Sequence, residues 1–388
     1  MIPLKSFSSA LSFGGRDKNK NIAFIIWIAI ALFAVIQGLI TYRYNNYLIF
    51  ENTFRNLIQQ SSFYAPYPQY HFDANHYGPV FSVFFMPFAL MPNAIGLMCW
   101  NLFNVIILFK AIGTIKLQKI NLLYFIGIPC LIGSSLSDQS NAMVAAFIIL
   151  SFTQLNKNKG IWSAMFIVLG TFIKLYGIVG LAFFFFVNDK KKFVIYLFMW
   201  AVVLFLLPML FSSPAFILDS YKEWAASLIH KNINNELQNS QDISIMGFVR
   251  HIFYGYQMPN IAFLSVGIIL FAIPYLNVKL YADERFKISI LASALMFPVL
   301  FSTGSEDCTY IIAIIGAGLW YLITTEKVWK KFLLAVTILF SCNFHQFLFH
   351  AIALKYPILF NMLSLPFFVV WIILIRESFY LRIKKSYE

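Results

Sequence analysis

The residues of this chain that could do chemistry stand at short breaks between long apolar runs. Asp73 lies between His71 and His76 in the aromatic stretch FYAPYPQYHFDANHYGP, just ahead of the Gly78-Pro79 turn. A carboxylate beside imidazoles and phenols suits a site for sugar or lipid-phosphate, because rings stack on apolar faces while their polar tips bond hydroxyls. Tyr64, Tyr67 and Tyr70 fit an interfacial aromatic belt equally well. Glu51, Arg43 and Arg55 belong to the same segment. Asp138, in SDQSN, stands at a helix junction where it could cap the next helix or touch a substrate. Lys174 ends an apolar run in GTFIKLYG. A lysine at the bilayer centre costs about 2.5 to 3.5 kcal/mol, and although it can snorkel to the interface, an anionic ligand such as phosphate would also explain it. Arg250 follows the polar cluster in NSQDISIMGFVRH; its fork matches phosphate oxygens, and pairing with Asp242 is the structural alternative.

Other chemistries lack their residues. Glu306 and Asp307 are adjacent, a spacing that rarely chelates, and His345 and His350 do not share a helix face as zinc ligands at i and i+4 would. There is no Gly-rich phosphate loop and no ordered Ser-His-Asp motif. Cys99, Cys130, Cys308 and Cys342 lie within or beside apolar runs without metal-ligand spacing and read as packing residues. No metal or cofactor is expected, and with no basic cytoplasmic domain that could bind nucleotide, an enzyme of this kind must take its activated substrate from the membrane.

The elements that position these residues are helices in a bilayer. With 60% hydrophobic and 12% charged residues, the chain is far more apolar than a soluble domain. At about 20 residues per crossing, its length allows roughly a dozen helices. The pattern predicts an all-α, polytopic transmembrane bundle, a single integral membrane domain over 1–388. Its helices are expected near 21–40, 95–113, 121–135, 141–155, 160–175, 176–188, 193–212, 259–277, 288–302, 309–324, 332–346 and 357–375. The first run is too long for a signal-peptide core and no small-residue cleavage site follows it, so it is expected to be retained.

Charge sets the expected orientation. Of 29 basic residues, only Arg43, Arg55, Lys174, Lys222, Lys231, Arg250 and Lys355 fall outside the basic loops that share one side with the N-terminus. The positive-inside rule makes that side cytoplasmic and places both termini there, as in a multi-pass protein of a bacterial plasma membrane. The net charge of +13 then reflects topology and anionic lipid headgroups rather than nucleic acid. All six histidines and most of the candidate site face the other compartment. Making Gly78 to Pro92 a span would invert every later loop, so a re-entrant or surface helix is expected there. The outer segments are then 41–94 and 213–260, and loops that long usually have a role.

Taken in order, HYGPVFSVFFMPFALMP, SDQSNAMVAAFIILSF, GTFIKLYGIVGLAFFFF and NSQDISIMGFVR resemble glycosyltransferase family 87. The matching positions are Tyr77 to Pro79, Asp138 to Asn141, Lys174 to Gly177 and Asn239 to Ile243. The resemblance implies a GT-C fold and, in the family's polyprenyl-phosphate-mannose-dependent mannosyltransferases, inverting transfer of a hexose. The donor would be a polyprenyl-phosphate-linked sugar and the acceptor a lipid or glycan. A carboxylate would take the acceptor's proton and cations would stabilise the departing phosphate. Where the family has an aspartate early in the first outer loop, this chain has Asn45 and Asn46; Asp73 is the first substitute as base, followed by Asp138 and Glu51. Lys174 and Arg250 would hold the phosphate, with His76, Tyr77, Gln139, Asn141, Gln241 and Asn46 around the substrate. Gly177 stands where the family's Lys-x-x-Pro has proline. A lipid-linked sugar flippase or an inactive relative is the competing reading.

Overall fold

The computed structural model describes residues 18–236, 241–253, 258–325, 327–342 and 358–381. Among them there is no strand, and 17 α-helices account for most of the chain. Four stretches are long and apolar enough to cross a membrane: Lys18–Thr41 (α1), Asn93–Ile112, Lys190–Leu210 and Leu359–Phe379. Shorter apolar helices complete the bundle.

The count exceeds the dozen expected for two physical reasons. Some apolar runs are broken: 121–135 divides at Gly127 into Leu122–Ile126 and Ile128–Leu136, and the last run divides into Ile358–Asn361 and Ser364–Phe379. Other helices are amphipathic and do not appear as apolar runs. The segment 41–94 contains α2 (Asn45–Gln59), which buries Tyr47, Phe50 and Leu57, and α3 (Val80–Ala89), the helix expected between Gly78 and Pro92. These two pack on α4 (Asn93–Ile112) through interlocked Phe50, Phe81, Phe85 and Trp100 rings. The segment 213–260 contains α10 (Pro214–Asn235) and α11 (Ile245–Ile252). The end of the run expected at 332–346, and His345 and His350, lie outside the described residues, as does Asn239.

The centre of the bundle is α7 (Asn141–Leu155), α13 (Glu284–Leu300) and α14 (Tyr310–Ile323), which are buried along nearly their whole length. The buried indoles are paired, as burial requires: Trp371 donates to Ser293 Oγ of α13 at 2.8 Å and Trp27, on the buried side of α1, to Tyr124 O at 2.9 Å. At the periphery, α1, α9 (Lys190–Leu206) and α12 (Asn260–Ala272) expose Phe33, Phe198 and Ile269, a surface suited to lipid tails.

One reversal positions the site. Helix α8 (Gly160–Ile173) ends at Lys174, whose extended backbone starts a 3-10 helix, Leu175–Phe186, that packs back along α8 and α7. Gly177 lies against the backbone of Gly170 and Thr171, so closely that a Cβ on Gly177 would overlap them. That approach gives a physical reason for glycine at position 177. Gly78 meets the Phe172 carbonyl and the Trp224 ring in the same way, which seats the loop carrying Asp73, His76 and Tyr77 over the reversal.

Candidate active site

A cavity of about 470 Å³ opens between this loop, the reversal at Lys174, α10 and the 302–306 loop. It brings together Asn46, Asp73, His76, Tyr77, Gln139 and Lys174, all singled out in the sequence, and adds Tyr176, Lys231, Asn232, Thr303 and Glu306. These polar side chains share the lining with an apolar group that includes Ile178, Val179, Leu264, Phe297 and Phe301.

The polar side chains around Lys174 are ordered by a chain of amides. Lys174 Nζ donates to Asn141 Oδ1 at 2.7 Å, Asn141 Nδ2 donates to Gln139 Oε1 at 3.1 Å, and Gln139 Nε2 donates to Glu306 Oε2 at 2.9 Å. Asn141 is thus one bond behind the cavity wall. The Tyr176 ring also lies 5.0 Å from Lys174 Nζ. Lys174 has no carboxylate in an ion pair among the described residues, so part of its charge is left for a ligand. Lys231, from α10, sits 3.9 Å from Asp73 Oδ2.

Asp73 is the more open of the two cavity carboxylates: its side chain is 56% exposed, and Oδ1 accepts from the Ala74 amide at 2.8 Å. Beside it, His76 shares a hydrogen bond of 2.9 Å with Ser227 Oγ through Nδ1. Burial, reinforced by the Lys231 charge, lowers the His76 imidazole to about 4, so it is neutral near pH 7 and a partner for hydroxyls rather than for phosphate. The Trp224 indole donates to His76 O and Ser140 Oγ donates to the Tyr77 hydroxyl, fixing the loop from both sides. Asn46 donates to Ser137 O at 2.7 Å while lining the cavity.

The remaining sequence candidates lie elsewhere. Glu51 projects from another side of α2, where it accepts from Arg55 at 2.5 Å and borders a separate cleft of about 160 Å³. Asp138 is buried behind the cavity and accepts from Asn101 Nδ2 at 2.8 Å, while its backbone carbonyl accepts from the Trp100 indole. Burial pushes its carboxyl up to about 7. Arg250 is buried against Asp242 at 2.5 Å and also donates to Asn260 Oδ1. Gln241 is half-buried and does not line the cavity.

Sequence reasoning weighed Glu306 only as a metal ligand with Asp307 and gave Lys231 no role. The described residues contain no cluster of three metal-ligating side chains. The signal for Lys231 was its place in the polar run KNINN: Asn232 accepts from Thr303 Oγ1 and Asn235 donates to Thr303 O, which ties α10 to the 302–306 loop.

No curated protein matches the chain. The sequence pattern of glycosyltransferase family 87 matches residues 75–303, a stretch that holds Lys174, the amides of 139 and 141, and most of the cavity wall. The chain therefore belongs to glycosyltransferase family 87.

Proposed function

We propose that the protein moves a hexose, mannose in the first instance, from a polyprenyl phosphate to a lipid or glycan acceptor on the outer face of the membrane, with inversion. The helical bundle would be a GT-C arrangement with both termini in the cytoplasm. The observation that carries this reading is the mixed lining of the cavity. Lys174 and Lys231 line it together with aliphatic and aromatic side chains, which suits a phosphate joined to a hydrocarbon chain.

In the proposed reaction the acceptor hydroxyl loses its proton to Asp73 Oδ2. The acceptor oxygen then forms the new bond to the anomeric carbon from the face opposite the phosphate. The bond from that carbon to the phosphate oxygen breaks, its electron pair passing to the phosphate, whose added charge Lys174 stabilises. Glu306 keeps the Gln139 and Asn141 amides turned so that Asn141 Oδ1 faces Lys174. Neutral His76 and the Tyr77 hydroxyl would bond sugar hydroxyls. Asp138, Glu51, Arg250 and Gln241 would act by shaping the fold around the site.

The test is transfer of radiolabelled mannose from polyprenyl-phosphate-mannose in membranes containing the protein. Asp73→Asn should reduce turnover at least about 100-fold, and Glu306→Gln, which can still engage Gln139, should lower it far less. The reverse pattern would move the base to Glu306. Absence of transfer from any lipid-linked sugar by folded protein would favour a flippase or an inactive relative.

A further inference from the structure

A second cleft, of about 410 Å³, lies at the start of α8. The 14 residues of α8 put it about 20 Å from Lys174, at the lysine-rich end that the charge pattern assigns to the cytoplasm. The loops at 156–159 and 187–189 form it together with the first turns of α8 and α9, and Lys159, Lys192, Trp162 and Tyr196 line it. Lys192 Nζ lies 5.9 Å from the Tyr196 ring. Neither Lys159 nor Lys192 has a carboxylate in an ion pair among the described residues. The acid in the cleft, Asp189, caps α9 by accepting from the Lys192 amide at 3.0 Å. Lys157, Lys190 and Lys191 adjoin it in sequence, so cationic charge exceeds anionic charge there.

Two further features describe the ligand. Gly160 forms part of the wall, and a Cβ there would only touch Phe193 and Tyr196 at ordinary contact distances, so the space beside it is real. The next residues of α9, Val194, Ile195 and Phe198, are exposed and apolar. A site with cations and aromatic rings at its rim and a hydrocarbon surface beside it fits an amphiphilic anion better than a soluble one.

We propose that this cleft binds the headgroup of an anionic glycerophospholipid, with its phosphodiester between Lys159 and Lys192, its glycerol against Trp162 and Tyr196, and its acyl chains along α9. Bound there, the lipid would bridge α8 and α9 at the foot of the helix that carries Lys174.

The test uses the full chain purified in detergent, with binding of phosphatidylglycerol, phosphatidylcholine and glycerol 3-phosphate counted by native mass spectrometry. Phosphatidylglycerol should bind roughly 10- to 30-fold more tightly than phosphatidylcholine, the size expected for two lysines near a lipid phosphate. Lys159→Ala/Lys192→Ala should remove that preference, Gly160→Leu should weaken it by filling the cleft without altering charge, and Lys116→Ala/Lys279→Ala should leave it unchanged. The readout is a ratio within each protein, so a folded but less stable variant still reports, and Gly160→Leu decides the matter if the lysine pair does not fold. Equal binding of the two lipids, a preference that survives at both Lys159/Lys192 and Gly160, or equal loss in the Lys116/Lys279 variant would overturn the proposal. Glycerol 3-phosphate binding as tightly as the lipid would overturn it in favour of a soluble phosphate. Because the readout is independent of sugar transfer, failure here leaves the active-site reading untouched.

Discussion

Lys174 and Arg250 look alike in the sequence, each a cation beside polar residues at the end of an apolar stretch, yet their surroundings differ. The charge of Arg250 is matched by the protein: Asp242, fully buried, accepts from its Nη1, Asn260 accepts from Nη2, and Glu236 is 4.0 Å away, so that its Nε–H alone lacks a partner among the described residues. Lys174 bonds a neutral amide and faces a cavity. The difference teaches where a ligand can act. A buried cation whose charge is matched by carboxylates inside the fold, and which lies off the cavity, offers a phosphate little, whereas one matched only by an amide beside a void has charge to give.

The comparison breaks most visibly at Arg250. Arg250→Ala would leave Asp242 buried without its partner, a loss of about 3 to 5 kcal/mol in stability, read as a lower unfolding temperature in detergent. Burial already pushes the Asp242 carboxyl up to about 6, against the lowering effects of Ser244 and Arg250, so removing Arg250 should drive it towards the neutral form. Adding Asp242→Asn should recover much of the stability. A variant that keeps its unfolding temperature but loses sugar transfer would instead place Arg250 with the substrate.

Lys174→Ala should show the opposite division. Loss of one charge-stabilising donor to the leaving phosphate costs about 100- to 1000-fold in turnover. The unfolding temperature should stay close to that of the parent, because no buried carboxylate is left unpaired. Collapse of the fold on this substitution would make Lys174 a structural cation like Arg250 and remove the main support for a phosphate in the cavity.

What the sequence made legible follows from how each feature is encoded. Continuous apolar runs fix helices directly, as at 141–155, where the expected and observed bounds coincide. Helices α2 and α10 bury one side and mix polar residues into the other, so a reading based on apolar runs passed over them even though they carry Asn46 and Lys231 to the cavity. Lys174, Gln139 and Asn141 were legible as a set because each sits at a helix junction within a short motif. Glu306 was not: it joins them only through its tertiary hydrogen bond from Gln139, 167 residues away in the chain, and no local spacing encodes that contact. Both cavity carboxylates fall just beyond the ends of the family-matched stretch 75–303, so the matched body supplies cations and amides, and its immediate flanks supply the acids.

The smallest predicted effect on transfer separates Asp138 from Asp73, two aspartates that the sequence ranked second and first as possible bases. Asp73 is open and faces Lys231, while Asp138 is buried, with Asn101 as its side-chain donor. Burial, partly offset by Asn101, raises the Asp138 carboxyl from an ordinary 3.8 to about 7. The folded protein therefore holds the proton more tightly than the unfolded chain. By linkage, this contribution to stability is fully present below about pH 4 and is lost progressively as pH rises through about 7. Asp138→Asn mimics the neutral acid and keeps the backbone carbonyl that receives the Trp100 indole. It should remove this pH dependence and raise stability at pH 8 by up to about 4 kcal/mol, with transfer largely retained. Unfolding temperatures of parent and variant at pH 5 and pH 8 check the first part. Loss of transfer in Asp138→Asn with Asp73→Asn still active would exchange their roles and make the buried carboxyl, with its pKa near neutrality, the proton acceptor.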